Sequence, residues 1–181
     1  MIYVCSLAEL PVLMADLRPT HIVSMLGDDP FPATPEWLAT DRHLKLRFHD
    51  IAEPIPGFLA PQAVHLEALI TFGTAWNKAG PLIIHCYAGV SRSTAAALTI
   101  LCLYNQGCEE KAAQVLRERA PHAQPNQLMI AIADRLLECN GRLVDAVNTI
   151  GLAECFGLGG LVELPAELEK SGGKVNYGCE S

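Results

Sequence analysis

Lysine and arginine are scarce in this chain, 13 against 20 aspartates and glutamates, and they form no cluster along it. A net charge of -7 without a basic patch argues against a surface for nucleic acid or an anionic membrane, so any bound anion must be held locally. Long apolar runs are missing too. The longest, near residues 95–104, is broken by Thr99 and falls well short of the roughly 20 residues that cross a bilayer. The opening MIYVCSLAEL has neither a basic start nor a small-residue cleavage site and does not read as a signal peptide, so a soluble, cytoplasmic protein is expected. The seven cysteines (Cys5, Cys86, Cys102, Cys108, Cys139, Cys155 and Cys179) are odd in number, scattered and without a C-x-x-C pair. That pattern suits neither a disulfide framework nor a zinc site; most should be small buried hydrophobes in a reducing compartment. No internal repeat or low-complexity block is visible, and 181 residues, half of them apolar, suit one domain with a core and room for a tail.

What is present is an alternation of strand and helix patterns. Residues 1–5 and His21–Leu26 are short β-branched runs, and the segment between them, with Ser6 as a possible cap, has apolar residues at helical spacing. After the turn-rich GDDPFPATP, residues 43–50 alternate as a half-buried strand, with Leu44, Leu46 and Phe48 inward, and IAEPIPGF must be a loop. A helix is expected from Pro61 to about Lys78, stopped by Gly80 and Pro81, then a buried strand at residues 82–85. Residues 93–104 read as a central, nearly all-apolar helix, followed by amphipathic helices at Glu109–Arg119 and at residues 126–139, the latter capped by Asn126. The expected fold class is α/β, with a central, mostly parallel sheet of four to five strands flanked by helices and a ligand site beyond the strands' carboxyl ends. Residues 1–145 are expected to form the catalytic domain and 146–181 a C-terminal extension, partly loosely ordered towards its end.

One stretch carries chemistry: LIIHCYAGVSRSTAAALTI, residues 82–100. A strand ending at His85, a loop containing Gly89 and a helix beginning near Ser93 would aim several backbone N–H groups at one point, at the positive end of a helix dipole. Such a loop, His85, Cys86, Tyr87, Ala88, Gly89, Val90, Ser91 and Arg92, is an anion cradle. Cys86 at its base is placed where amides and dipole favour the thiolate, a nucleophile. Arg92 can grip two phosphate oxygens through its planar fork, and Ser93 can hydrogen-bond the sulfur as it leaves. His85 is better suited to orienting the loop than to acting as a base.

HCYAGVSRS resembles the signature of the cysteine-dependent protein tyrosine phosphatase superfamily, and its Gly-x-Ser-Arg-Ser half is most similar to the compact dual-specificity members. The resemblance implies that family's fold, a metal-independent and cofactor-free hydrolysis of phosphomonoesters through a phosphocysteine, and a phosphorylated protein or small phosphomonoester as substrate. It also implies a carboxylic acid on a separate loop. Asp50, at the strand end and ahead of the Pro-rich loop, is the first choice, Glu53 the second, and Asp28 and Asp29 weaker candidates that read well as turn residues. Asn126 matches a position beside the family's active site, although capping alone explains it. The chain lacks the Trp-Pro-Asp loop and Lys-Asn-Arg-Tyr segment of the large tyrosine-specific enzymes, and residues 87–91 lack the lysines of phosphoinositide phosphatases. Two other readings compete: a catalytically silent phosphate-binding module, and a thiol-dependent arsenate reductase with Cys102 or Cys108 as resolving cysteine.

Overall fold

In the computed structural model, which describes residues 1–153, 157 and 159–169, the alternating segments form a five-stranded sheet of order β3-β2-β4-β1-β5. Four strands run parallel: β1 (Ile2–Ser6), β2 (His21–Leu26), β3 (His43–Arg47) and β4 (Leu82–Cys86). The fifth, β5 (Val162–Leu164), lies antiparallel on the outer edge of β1. Strands β2 and β4 are buried along their whole length, as their unbroken apolar runs require of strands covered on both faces.

Successive residues of a strand point to opposite faces, and β1 and β4 divide accordingly. Cys5 and Ile83 pack against Leu10 and Leu13 of α1 (Leu10–Leu17). Ile2, Val4, Leu82 and Ile84 face a larger core shared with α2 (Ala63–Ala75), α3 (Arg92–Tyr104), α4 (Glu109–Arg119), α5 (Gln127–Leu136) and α6 (Arg142–Thr149). Residues 92–102 of α3 are all buried, which is why this helix has no polar face.

Several expected boundaries move. Ser6 ends β1 and exchanges capping-box bonds with Glu9, its N–H donating to the Glu9 carboxylate (2.9 Å) and its Oγ accepting from Glu9 N (3.4 Å), but the regular helix begins only at Leu10. The helix expected from Pro61 starts at Ala63, because Gln62 and His65 exchange side-chain and backbone hydrogen bonds in a capping box. It ends at Ala75, where the extended backbone of Trp76 lets the indole reach the Gly80 carbonyl. Strand β3 stops at Arg47, three residues before Asp50. The sequence reading contained neither α6 nor β5. The expected division at residue 145 lies within α6, and β5 joins the central sheet; residues 170–181, expected to be loosely ordered, lie outside the described residues. No helix among the described residues is long and apolar enough to cross a membrane.

Candidate active site

The three central strands end together, and the segment from β4 into α3 closes over that edge. Gly89 sits at φ +76°, and a Cβ there would stand 2.8 Å from the Ser6 nitrogen, so both backbone conformation and proximity require glycine. The loop's carbonyls point outward into partners. Tyr87 O accepts from Leu7 N (3.1 Å), Ala88 O from Gly159 N (2.8 Å) and Val90 O from Gln124 N (3.0 Å). That arrangement leaves the N–H groups facing the interior of the loop, the polarity an anion needs.

Cys86 Sγ is buried at its base, 3.2 Å from Ser93 Oγ. Arg92 is also buried; its Nη1 donates to Phe48 O (3.0 Å), which fixes the guanidinium plane. Its Nε has no hydrogen-bond acceptor among the described residues and lies 3.8 Å from Asp50 Oδ2. A buried guanidinium N–H without an acceptor is destabilising by about 1–3 kcal/mol or more, and an oxyanion in the cradle would satisfy it.

Asp50 reaches the loop from beyond β3. Its Oδ1 accepts from Ser91 Oγ (2.7 Å) and Asn126 Nδ2 (2.8 Å). Asn126 therefore does more than cap: Oδ1 takes the Met129 amide of α5 (3.0 Å) while Nδ2 holds Asp50 and approaches Ile51 O (3.4 Å). Glu53 is exposed in the loop and makes no hydrogen bond among the described residues. Asp28 and Asp29 line the same cleft as Asp50, Tyr87 and Arg92.

A buried polar chain behind the loop was not read from the sequence. The Cys86 carbonyl can only accept, so His85 Nδ1 donates to it (3.4 Å), leaving Nε2 to accept from Ser24 Oγ (2.6 Å). Ser24 Oγ then accepts from His43 Nε2 (2.8 Å), and His43 Nδ1 from Thr34 Oγ1 (2.9 Å). Every member is satisfied with both imidazoles neutral. Burial pushes His85 down to about 4, opposed by its bond to Cys86 O and assisted by Arg92; burial, then Lys45 and His85, push His43 to about 4. Unfolded imidazoles titrate near 6.5. Protons therefore bind the unfolded chain first, and stability is full above pH 6.5 and falls as pH drops from 6.5 towards 4. Urea midpoints should decline over that window, and His43→Gln should flatten the decline; a wild-type midpoint constant from pH 7 to 4.5 would contradict this.

Cys102 lies ten residues beyond Arg92 on α3, about 15 Å along the helix axis. It sits in the core, where burial pushes its thiol well up, so it is not placed to resolve a disulfide with Cys86.

No family model matches the chain. It is 30% identical over 112 residues to dual specificity protein phosphatase 12 of Mus musculus, covering 61% of this chain and 32% of that one. It is 28% identical over 135 residues to MAP kinase phosphatase with leucine-rich repeats protein 3 of Dictyostelium discoideum, covering 74% of this chain and 14% of that one. The chain thus spans a third or less of the curated relatives it matches. The crystal structure of human DUSP28 has the same fold, with TM-score 0.60 and 20% identity over 77% of this chain and 89% of that one. The chain is thus similar to dual-specificity phosphatases in sequence and in fold, and it carries a His-Cys-x5-Arg-Ser loop between a central strand and helix as the dual-specificity-like signature of the cysteine-dependent protein tyrosine phosphatase superfamily requires.

Proposed function

We propose that the protein hydrolyses phosphomonoesters, phosphoproteins foremost, through a phosphocysteine on Cys86. The observation that carries the reading is the buried Arg92 Nε, without an acceptor among the described residues, on the same short loop as the buried Cys86 sulfur, whose outward-bonded carbonyls turn the intervening amides to the other side. The Cys86 thiolate attacks phosphorus and the ester P–O bond breaks. Arg92 and the loop amides of residues 87–91 hold the equatorial oxygens. Asp50 in its protonated form gives its proton to the leaving oxygen. Because Oδ1 already accepts two hydrogen bonds, Oδ2 is the oxygen free to carry that proton. Water then attacks phosphorus, Asp50 takes its proton, the S–P bond breaks and Ser93 hydrogen-bonds the departing sulfur.

The catalytic unit is residues 1–145 in this reading, extended by 146–181. The bond from Gly159 to Ala88 and the edge strand β5 are ways in which the extension supports that unit. Cytoplasmic residence is part of the same reading; Cys5, Cys86, Cys102, Cys108 and Cys139 carry free thiols, which suits a reducing compartment. The relatives' names supply the phosphoprotein class, and the exposed Tyr87 at the mouth offers an aromatic surface to a peptide flank.

The test is hydrolysis of a generic aryl phosphate across pH 5–8 in the presence of chelator. Turnover blocked competitively by vanadate is expected. Binding of phosphate or vanadate with no turnover would make the protein a reader of phosphate and overturn the proposal.

A further inference from the structure

The loop that follows Asp50 is unusually short of anchors. Residues 52–59 are all exposed, with Pro54, Pro56 and a left-handed Gly57 (φ +83°) breaking any regular structure. Apart from an internal turn bond from Phe58 N to Ile55 O (3.1 Å), these residues hydrogen-bond the rest of the described protein through one partner, His49. His49 N donates to Leu59 O (2.7 Å), and Leu59 N donates to His49 Nδ1 (2.9 Å). One residue therefore ties the far end of the loop to its own beginning, immediately before Asp50.

The imidazole itself is fixed on three further sides. Phe58 meets it edge-on with ring centroids 4.8 Å apart. Gly27, at the end of β2, lies flush beneath it; a Cβ there would stand 2.9 Å from His49 Cδ2. Because Nδ1 accepts the Leu59 amide, the proton is on Nε2, which lies 3.3 Å from Asp28 Oδ2 without the alignment of a hydrogen bond. His49 thus locks the loop to β2 as well as to itself. The near end of the loop, by contrast, is held among the described residues through Asp50 and Ile51, which hydrogen-bond Ser91 and Asn126, with Arg92 Nε 3.8 Å from Asp50 Oδ2. Freed at Leu59, residues 50–58 would gain the conformational freedom of an open loop, and the Asp50 carboxyl would spend less time beside Arg92.

We propose that His49 is a positioning residue for proton transfer, holding the loop of residues 50–58 closed so that Asp50 is presented to the leaving group. This rests on the phosphatase reading above. His49 lines the cleft together with Asp50 and Arg92, but its Nδ1 is taken by the Leu59 amide and its Nε2 is buried, so the role assigned is that of an anchor for the loop and not of a proton donor.

The experiment compares wild type, His49→Ala and His49→Asn on two aryl phosphates. One has a strongly acidic phenol that leaves unaided, the other an unactivated phenol that needs the proton. His49→Ala should lose about tenfold or more in kcat on the unactivated ester while staying within about twofold on the activated one. His49→Asn, whose Oδ1 can take the place of Nδ1 as acceptor, should recover most of the loss. The Leu59 amide should exchange with solvent at least about tenfold faster in His49→Ala than in wild type. Equal losses on both esters, or no loss on either, would overturn the proposal, as would an unchanged Leu59 amide. A wild type that turns over neither ester would instead refute the phosphatase reading, and the amide exchange would then still decide whether His49 holds the loop.

Discussion

Cys86→Ser is expected to abolish turnover, by on the order of 10⁴-fold or more, while phosphate and vanadate still bind. The substitution exchanges one atom in a position where everything else is fixed. The side chain is buried, Ser93 Oγ stands 3.2 Å from it, and β4 and α3 on either side belong to the core. A serine hydroxyl is a far weaker nucleophile than a thiolate, and His85 cannot act as its base, because Nδ1 is turned to the Cys86 carbonyl and Nε2 is occupied by Ser24. The anion-binding groups are untouched: Arg92 keeps its bond to Phe48 O, and the loop carbonyls keep their outward partners. Affinity for phosphate should therefore stay within a few-fold of wild type, measured by calorimetry, while steady-state hydrolysis disappears. A serine variant with the wild-type rate would remove the phosphocysteine from the mechanism.

That cradle was legible in the sequence because it is local. Cys86, Gly89, Arg92 and Ser93 fall within eight consecutive residues, and the elements that aim them, an apolar strand and an apolar helix, flank them directly. Asp50 was legible more weakly, as a carboxylate placed just past an alternating strand. What brings it to the cradle is Asn126, 76 positions away, and a cap is indistinguishable in sequence from a cap that also holds an acid loop. The Thr34, His43, Ser24 and His85 chain was invisible for a related reason. Its members become neighbours only when β3, β2 and β4 pair side by side, and the register that sets Ser24 opposite His85 is a property of the sheet, not of either strand.

Elements missed outright were those whose local signal is weak. Strand β5 has three residues, and it forms because the outer edge of β1 offers unpaired backbone groups. Helix α6 has eight residues behind a left-handed Gly141, with no capping side chain of its own; its first amides are taken by Asp134 of α5, which accepts from Gly141, Leu143 and Val144. A helix whose cap comes from another helix carries no start signal in its own sequence. Both elements lengthen the core beyond the point where the sequence pattern suggested it ended.

Asp50→Asn is the second large effect, and its size should depend on the substrate. Asparagine can keep its carbonyl where Oδ1 accepts from Ser91 and Asn126, so the loop stays in place, but it has no proton to give from the Oδ2 position near Arg92. Turnover of an unactivated phosphate ester should fall about 10²–10⁴-fold, and that of an ester with a strongly acidic leaving group far less. The pH profile should change with it. In wild type the acid must be protonated for the first step, so the rate on the unactivated ester declines as pH rises through its ionisation; in the variant that decline should vanish. Equal losses on both esters, with the decline retained, would move the acid elsewhere, and Glu53 would be the next residue to test. The same variant separates Asp50 from His49. If His49 acts only by presenting Asp50, then His49→Ala placed on Asp50→Asn should cost the unactivated ester nothing further, whereas two independent contributions would multiply.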